Sequence, residues 1–287
     1  MLDRAGFSGI AAGLFTIGLW GSLPILRGLA ALPPLLVTAV AMAAAAAVAS
    51  GIALFQAPPA PDNTGVGWHH WIGGVGGLVG ALFFYFLALE NGDPAKVTLI
   101  TYTWPLGLVL VGDQLAGRRL RLQPMVASGV AFTGLAPLLL SDAQGIATPA
   151  GAYAAGLASG GSWIVFSLFL RQAGALPARL YQWLFVRAGL VALGLHFGFE
   201  SLPAEAASRD WLSAALIGIG PYGLAFIAWG FALRHGPTSL LGVLTYLVPV
   251  VAASLLILLG WTRPTPELLL AAAAVVTGAG ISRLPPR

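Results

Sequence analysis

The sequence predicts an all-α membrane protein: ten transmembrane helices in two inverted five-helix repeats, residues 1–143 and 144–287, with both termini in the cytoplasm. Three observations lead there. Hydrophobic residues make up 58% of the 287 and charged residues only 8%, against roughly 25% charged in a soluble domain, so the outer solvent must be largely lipid. Apolar stretches near the ~20 residues needed for one helical pass recur from end to end. Finally, the chain matches itself at an offset of 144 residues, the distance from Pro105 to Pro249.

In the first half the apolar runs cover roughly 7–26, 34–54, 71–89, 95–115 and 124–140. The first follows Arg4 and has no small-residue cleavage site before Pro33-Pro34, so it reads as a spanning helix rather than a secretory leader. The turn Gly92-Asp93-Pro94 separates the third run from the fourth, and Ala57-Pro58-Pro59-Ala60-Pro61-Asp62-Asn63 is the longest loop. In the second half the runs cover roughly 151–170, 177–197, 211–233, 238–260 and 267–284, with His235-Gly236-Pro237 closing the third of them.

Charge sets the orientation. A net charge of +4 would suggest nucleic acid in a soluble protein. Here the basic residues stand singly at the ends of apolar runs, where they orient helices in a bilayer, and no nucleic-acid partner is expected. With the N-terminus inside, nine arginines fall on the inner side: Arg4, Arg118, Arg119, Arg121, Arg171, Arg179, Arg234, Arg283 and Arg287. Arg27, Lys96, Arg209 and Arg263 fall outside. Cysteine is absent, which removes disulfides and Cys-based metal or redox sites.

The self-match is detailed. Ala88-Leu89-Glu90-Asn91-Gly92 lies over Ala232-Leu233-Arg234-His235-Gly236, and Thr101-Tyr102 over Thr245-Tyr246. Ala31-Leu32-Pro33 lies over Ala175-Leu176-Pro177, and Gly74 and Gly76 over Gly218 and Gly220. Each half holds an odd number of helices, so the halves must point in opposite directions. Inverted repeats of this kind mark many secondary transporters.

The repeat singles out candidate functional residues. Pro105 and Pro249 lie inside the fourth and ninth runs and deprive the carbonyls of Thr101 and Thr245 of their helical donors. Such carbonyls are tolerated in a bilayer where they face protein or a wet cavity. Thr98, Thr101, Tyr102 and Pro105 make one stripe at helical spacing; Gly242, Thr245, Tyr246 and Pro249 make its counterpart. One reading has the prolines as hinges and the stripes lining a substrate path; the plainer reading has kinked, packed helices. Trp20 pairs with Trp163, Tyr85 with Trp229, and Tyr222 lies deeper on the eighth run. Rings at mid-membrane can stack on a planar cargo while Tyr hydroxyls and Trp N–H groups hold its polar ends. Ordinary packing is the competing explanation for each ring. Trp68, Trp71, Trp211 and Trp261 stand at run ends, as interfacial anchors do.

Glycines spaced by four (Gly9 and Gly13, Gly73 and Gly77, Gly76 and Gly80, Gly156 and Gly160) read as close helix packing. No Gly-Lys-Ser/Thr follows the Gly73–Gly80 run, which argues against an ATP-driven pump. Arg187 is the one charge well inside a run, either a substrate ligand or a snorkelling side chain. The carboxylates Glu90, Asp93, Asp113, Asp142, Glu200, Asp210 and Glu267 all fall near helix ends, leaving Glu90 and His235 as the nearest approach to a proton relay. An intramembrane lipid-modifying enzyme would need a metal site or paired acid and base. Neither is visible, so no catalytic residue, metal or cofactor is expected.

Leu19-Trp20-Gly21-Ser22, and Pro105 followed by Asp113 and the glycine-bearing run at Gly129, resemble the drug/metabolite transporter superfamily in its EamA-type branch. The family usually has Glu where Asp113 stands. The aromatic helices look most like those of bacterial aromatic amino-acid exporters. The resemblance implies a central cavity lined by helices one, three, four, six, eight and nine, on which Trp20, Tyr85, Tyr102, Trp163, Trp229 and Tyr246 fall. It implies a monomer in the bacterial inner membrane that exports aromatic or amphipathic amino acids by alternating access. A multidrug or nucleotide-sugar transporter of the same architecture is the alternative. Proton antiport and downhill facilitation both remain open.

Overall fold

The computed structural model describes residues 4–56, 67–115, 122–141, 147–172, 177–201 and 205–283. Arg118, Arg119, Arg121, Asp142, Arg287 and the 57–63 loop lie outside the described residues. Among the described residues every regular element is a helix. Nine helical segments there are long and apolar enough to cross a membrane: Arg4–Gly28, Pro34–Leu54, Ile72–Asn91, Pro94–Val111, Leu122–Leu140, Ala150–Arg171, Ala178–Phe199, Ser208–His235 and Thr238–Leu258. A tenth, shorter apolar helix runs over Pro266–Arg283. These segments fall on the ten apolar runs of the sequence, because both are set by the same requirement for unbroken backbone hydrogen bonding inside an apolar phase.

Several segments are interrupted, in matching places. The fourth is two helices, Pro94–Thr101 and Trp104–Leu115, and the ninth is Thr238–Leu244 followed by Leu247–Leu258. The third begins with a π-helical turn at Ile72–Gly76, and the eighth contains another at Gly218–Leu224, which includes Pro221. A π turn absorbs a proline by widening the helix locally. The first segment bends at Ser22, whose hydroxyl donates back to the Leu19 carbonyl at 2.7 Å.

Carboxylates at helix ends tie the segments together. Asp93 caps the fourth segment, accepting from the Ala95 and Lys96 amides, with Pro94 in the first helical turn where its missing N–H costs nothing. Glu200, at the end of the seventh segment, accepts from the Leu35 and Leu36 amides at the start of the second, at 2.7 and 3.3 Å. Asp210 accepts from Ala31 and Ala207 at 3.1 and 2.8 Å. Each carboxylate thus meets free amides that would otherwise be stranded at a helix start or in a tight loop.

The segment pairing is close to symmetric. The second packs along the seventh and the fifth along the tenth; the third packs on the sixth as the eighth packs on the first. Exchanging the two halves maps this pattern onto itself. Small residues make it possible. Ala41, Ala45 and Ala49 of the second segment are fully buried, and Gly77 lies so close to Phe166 that an added Cβ would sit 2.9 Å from its backbone nitrogen. Gly76, by contrast, faces open space within the π turn, so its spacing to Gly80 does not make a packing face.

Candidate functional site

The breaks in the fourth and ninth segments place their side chains around one cavity of about 390 Å³, within the range of small-molecule sites. Its wall draws on the first segment (Trp20, Leu23, Pro24), the third (Ala81, Leu82, Tyr85) and the fourth (Thr98, Thr101, Tyr102, Trp104). Trp163 of the sixth, Tyr222 of the eighth, and Thr245, Val248, Pro249 and Leu256 of the ninth complete most of it. Leu138 and Leu139 of the fifth segment also contribute. Among the described residues no charged side chain is in the wall.

An aromatic floor supports it. Trp20 lies 6.0 Å from Trp163 and 5.4 Å from Trp229, ring centre to ring centre. Trp104 stands 6.3 Å from both Trp163 and Trp229, edge-on to the latter at 85°. Tyr222 stacks on Phe226 at 5.4 Å. Tilted and edge contacts of this kind suit the quadrupoles of the rings and resist collapse of the cavity. Hydrogen bonds fix three members. The Trp20 indole N–H donates to the Pro221 carbonyl at 3.0 Å, using an acceptor that the π turn presents sideways. Trp229 N–H donates to Ser167 Oγ at 3.3 Å, and the Tyr85 and Thr98 hydroxyls bond each other at 2.8 Å.

Of the sequence candidates, Trp20, Tyr85, Thr101, Tyr102, Trp163, Tyr222, Thr245 and Pro249 come together in the wall. Trp229, Tyr246 and Pro105 do not. Trp229 is fully buried behind Trp20 and Trp104. Tyr246 is fully buried in the cluster joining the fifth, ninth and tenth segments, its ring 6.2 Å from Phe132. Its hydroxyl lies beside the Leu106 amide without a hydrogen bond of standard geometry. Trp104 was missed. An unbroken helix through Thr98, Thr101, Tyr102 and Pro105 turns residue 104 away, but the helix restarts after Tyr102-Thr103 with a new phase.

The carbonyls singled out by the prolines also behave differently from the expectation. The Thr245 carbonyl accepts from the Val248 amide at 3.0 Å, a shorter-range bond that replaces the one lost to Pro249. The Thr101 carbonyl faces Gly160 on the sixth segment, where an added Cβ would come within 3.1 Å. Neither Glu90 nor His235 reaches the wall; the His235 ring stacks on Phe231 and bonds its carbonyl. Among the described residues no three His, Asp or Glu side chains are grouped to hold a metal ion.

One pairing breaks the symmetry. Trp104–Leu115 of the fourth segment packs on Thr238–Leu244 of the ninth, with the Pro105 carbonyl close to Gly242. The equivalent helices, Pro94–Thr101 and Leu247–Leu258, are not packed on each other in this way, and the cavity lies between them. At the closed end the first segment meets the His235-Gly236 turn. A Cβ on Gly9 would sit 2.7 Å from the Gly236 Cα, so this approach depends on glycine.

Comparison with known proteins agrees with this architecture. The aromatic amino acid exporter YddG of Ancylobacter novellus is 32% identical over 284 residues, covering 95% of this chain and 96% of that protein. A crystal structure at 31% identity superposes with a TM-score of 0.89, covering 98% of this chain and 99% of the other. The EamA-like transporter family matches twice, over residues 7–140 and again over 149–284. This chain is a multi-pass membrane transporter belonging to the EamA-like transporter family.

Proposed function

We propose that this protein exports aromatic or other amphipathic amino acids across the bacterial cytoplasmic membrane by alternating access. In this reading ten spans form two inverted halves with both termini in the cytoplasm, and the monomer is the working unit because one chain builds the whole cavity. The observation that carries the proposal is the uncharged, aromatic-walled cavity between two broken helices. A planar apolar side chain would lie against Trp20, Trp163 and Trp104. Among the described residues the Tyr102 and Tyr222 hydroxyls and the Trp104 and Trp163 N–H groups have no protein hydrogen-bond partner, and they would serve the cargo's amino and carboxylate ends. The name of the Ancylobacter novellus relative points to the same class of cargo.

A nucleotide sugar fits this wall less well. Its phosphates would enter a low-dielectric site with no Lys or Arg among the described residues of its wall, at a steep desolvation cost. The testing experiment is counterflow in proteoliposomes loaded with unlabelled tryptophan. Labelled tryptophan should accumulate transiently, be competed by phenylalanine and tyrosine, and be indifferent to nucleotide sugars. Absence of counterflow with all three aromatic amino acids would sink the proposal.

A further inference from the structure

Outside the cavity, the seventh segment carries a polar face where lipid is expected. Arg187 is the tenth residue of Ala178–Phe199, which at 1.5 Å per residue places its Cα about 14 Å along the axis. A hydrocarbon core is ~30 Å thick, so a guanidinium held at that depth would lie near its middle. The structure brings it elsewhere. The Arg187 guanidinium lies over the Trp71 ring, 4.3 Å from its centre, and Trp71 belongs to the short helix Trp68–Trp71 that leads directly into the third segment. The side chain therefore runs back toward the end of the bundle at which the third and seventh segments both begin.

Arg187 is not alone on this face. Arg179, Trp183 and Arg187 follow at intervals of four and are all exposed, so they form one stripe directed out of the bundle. Trp183 is 52% exposed. Among the described residues neither arginine has an ion pair, and Trp71 covers only a face of the Arg187 guanidinium, leaving its in-plane N–H donors unused. The equivalent face of the second segment has Leu35, Ala39 and Ala43 at these positions, so the repeat does not require the stripe for packing. Two cations, a belt-like tryptophan and a ring that holds one cation at headgroup level make a site for an oxyanion that can accept from a guanidinium through two oxygens, as a phosphodiester does.

We propose that Arg179, Trp183 and Arg187, with Trp71, bind the phosphate of an anionic phospholipid in the leaflet at which the third and seventh segments begin, cytoplasmic in the orientation proposed above. The lipid headgroup completes the hydrogen bonds of both guanidiniums, and its acyl chains lie along Leu190 and Val191, which are exposed farther along the same segment.

The test uses the purified full-length protein in neutral detergent, with retained lipid measured by native mass spectrometry and the unfolding midpoint measured beside it. Phosphatidylglycerol should be retained and should raise the midpoint, while phosphatidylcholine does neither. Arg187→Gln should weaken phosphatidylglycerol retention about five-fold, the effect of one basic residue worth ~1 kcal/mol at a charged lipid surface. Arg179→Gln, at the exposed start of the segment, gives the same reading if Arg187→Gln does not elute as folded protein. Equal retention of the two lipids, or unchanged retention in both variants, overturns the proposal. Displacement of phosphatidylglycerol by millimolar inorganic phosphate overturns it too, since the site would then take a free anion.

Discussion

The two tyrosines that the repeat sets over one another, Tyr102 and Tyr246, separate in the structure. Tyr102 lines the cavity, whereas Tyr246 is fully buried against Phe132. The substitutions should therefore fail differently. Tyr102→Ala should weaken tryptophan binding about ten-fold, the scale of one aromatic contact plus its burial, with little change in thermal midpoint. Tyr246→Ala should instead lower stability by ~3–5 kcal/mol, the cost of truncating a large packed side chain, with affinity retained in the folded fraction. Scintillation proximity binding and thermal unfolding, measured on both variants, separate the two roles. Trp20 is a third kind of residue, both wall and strut. Trp20→Phe keeps a ring but strands the Pro221 carbonyl, and should loosen the π turn of the eighth segment as well as the cavity.

At the scale of the element, the breaks matter more than the prolines alone. Pro105 lies outside the cavity wall, in the helix that packs on Thr238–Leu244. Pro105→Ala gives residue 105 an amide that can bond the Thr101 carbonyl and straighten the fourth segment. We expect slower tryptophan counterflow with unchanged equilibrium binding; wild-type rates would remove Pro105 as a hinge. Glu200 works across elements, since it caps the second segment from the end of the seventh and also bonds the buried His196 ring at 2.8 Å. Glu200→Gln keeps the shape but weakens these three bonds to the carboxylate, for an expected loss of ~1.5–3 kcal/mol read from the thermal midpoint.

For the molecule as a whole, the broken symmetry defines one state of the proposed cycle. The fourth and ninth segments touch at one end and part around the cavity at the other. In the proposed orientation the closed end is cytoplasmic, and the Gly9–Gly236 approach helps to seal it. Gly9→Ala should push these backbones apart and favour the opposite state. Because the chain has no cysteine, a single Thr16→Cys, one turn beneath Trp20, reports it. Labelling by a membrane-impermeant maleimide added from the cytoplasmic side should rise in the Gly9→Ala background. With no carboxylate among the described residues of the wall, efflux driven by a tryptophan gradient should also continue after a protonophore collapses the proton gradient.

Composition and the spacing of apolar runs sufficed for the helical membrane class, because a bilayer admits few other ways to satisfy a backbone. The offset between Pro105 and Pro249 located both broken helices, because proline acts through covalent structure and needs no neighbour to do so. Which rings face the cavity was decided only by tertiary structure. Helical spacing set Tyr246 beside Thr245 in the path and turned Trp104 away, but the restart after each break rotates the helix that follows. The π turn does the same for Pro221, whose carbonyl meets Trp20 from another half of the chain. A periodic reading assumes one continuous phase, and this site is built where the phase is lost.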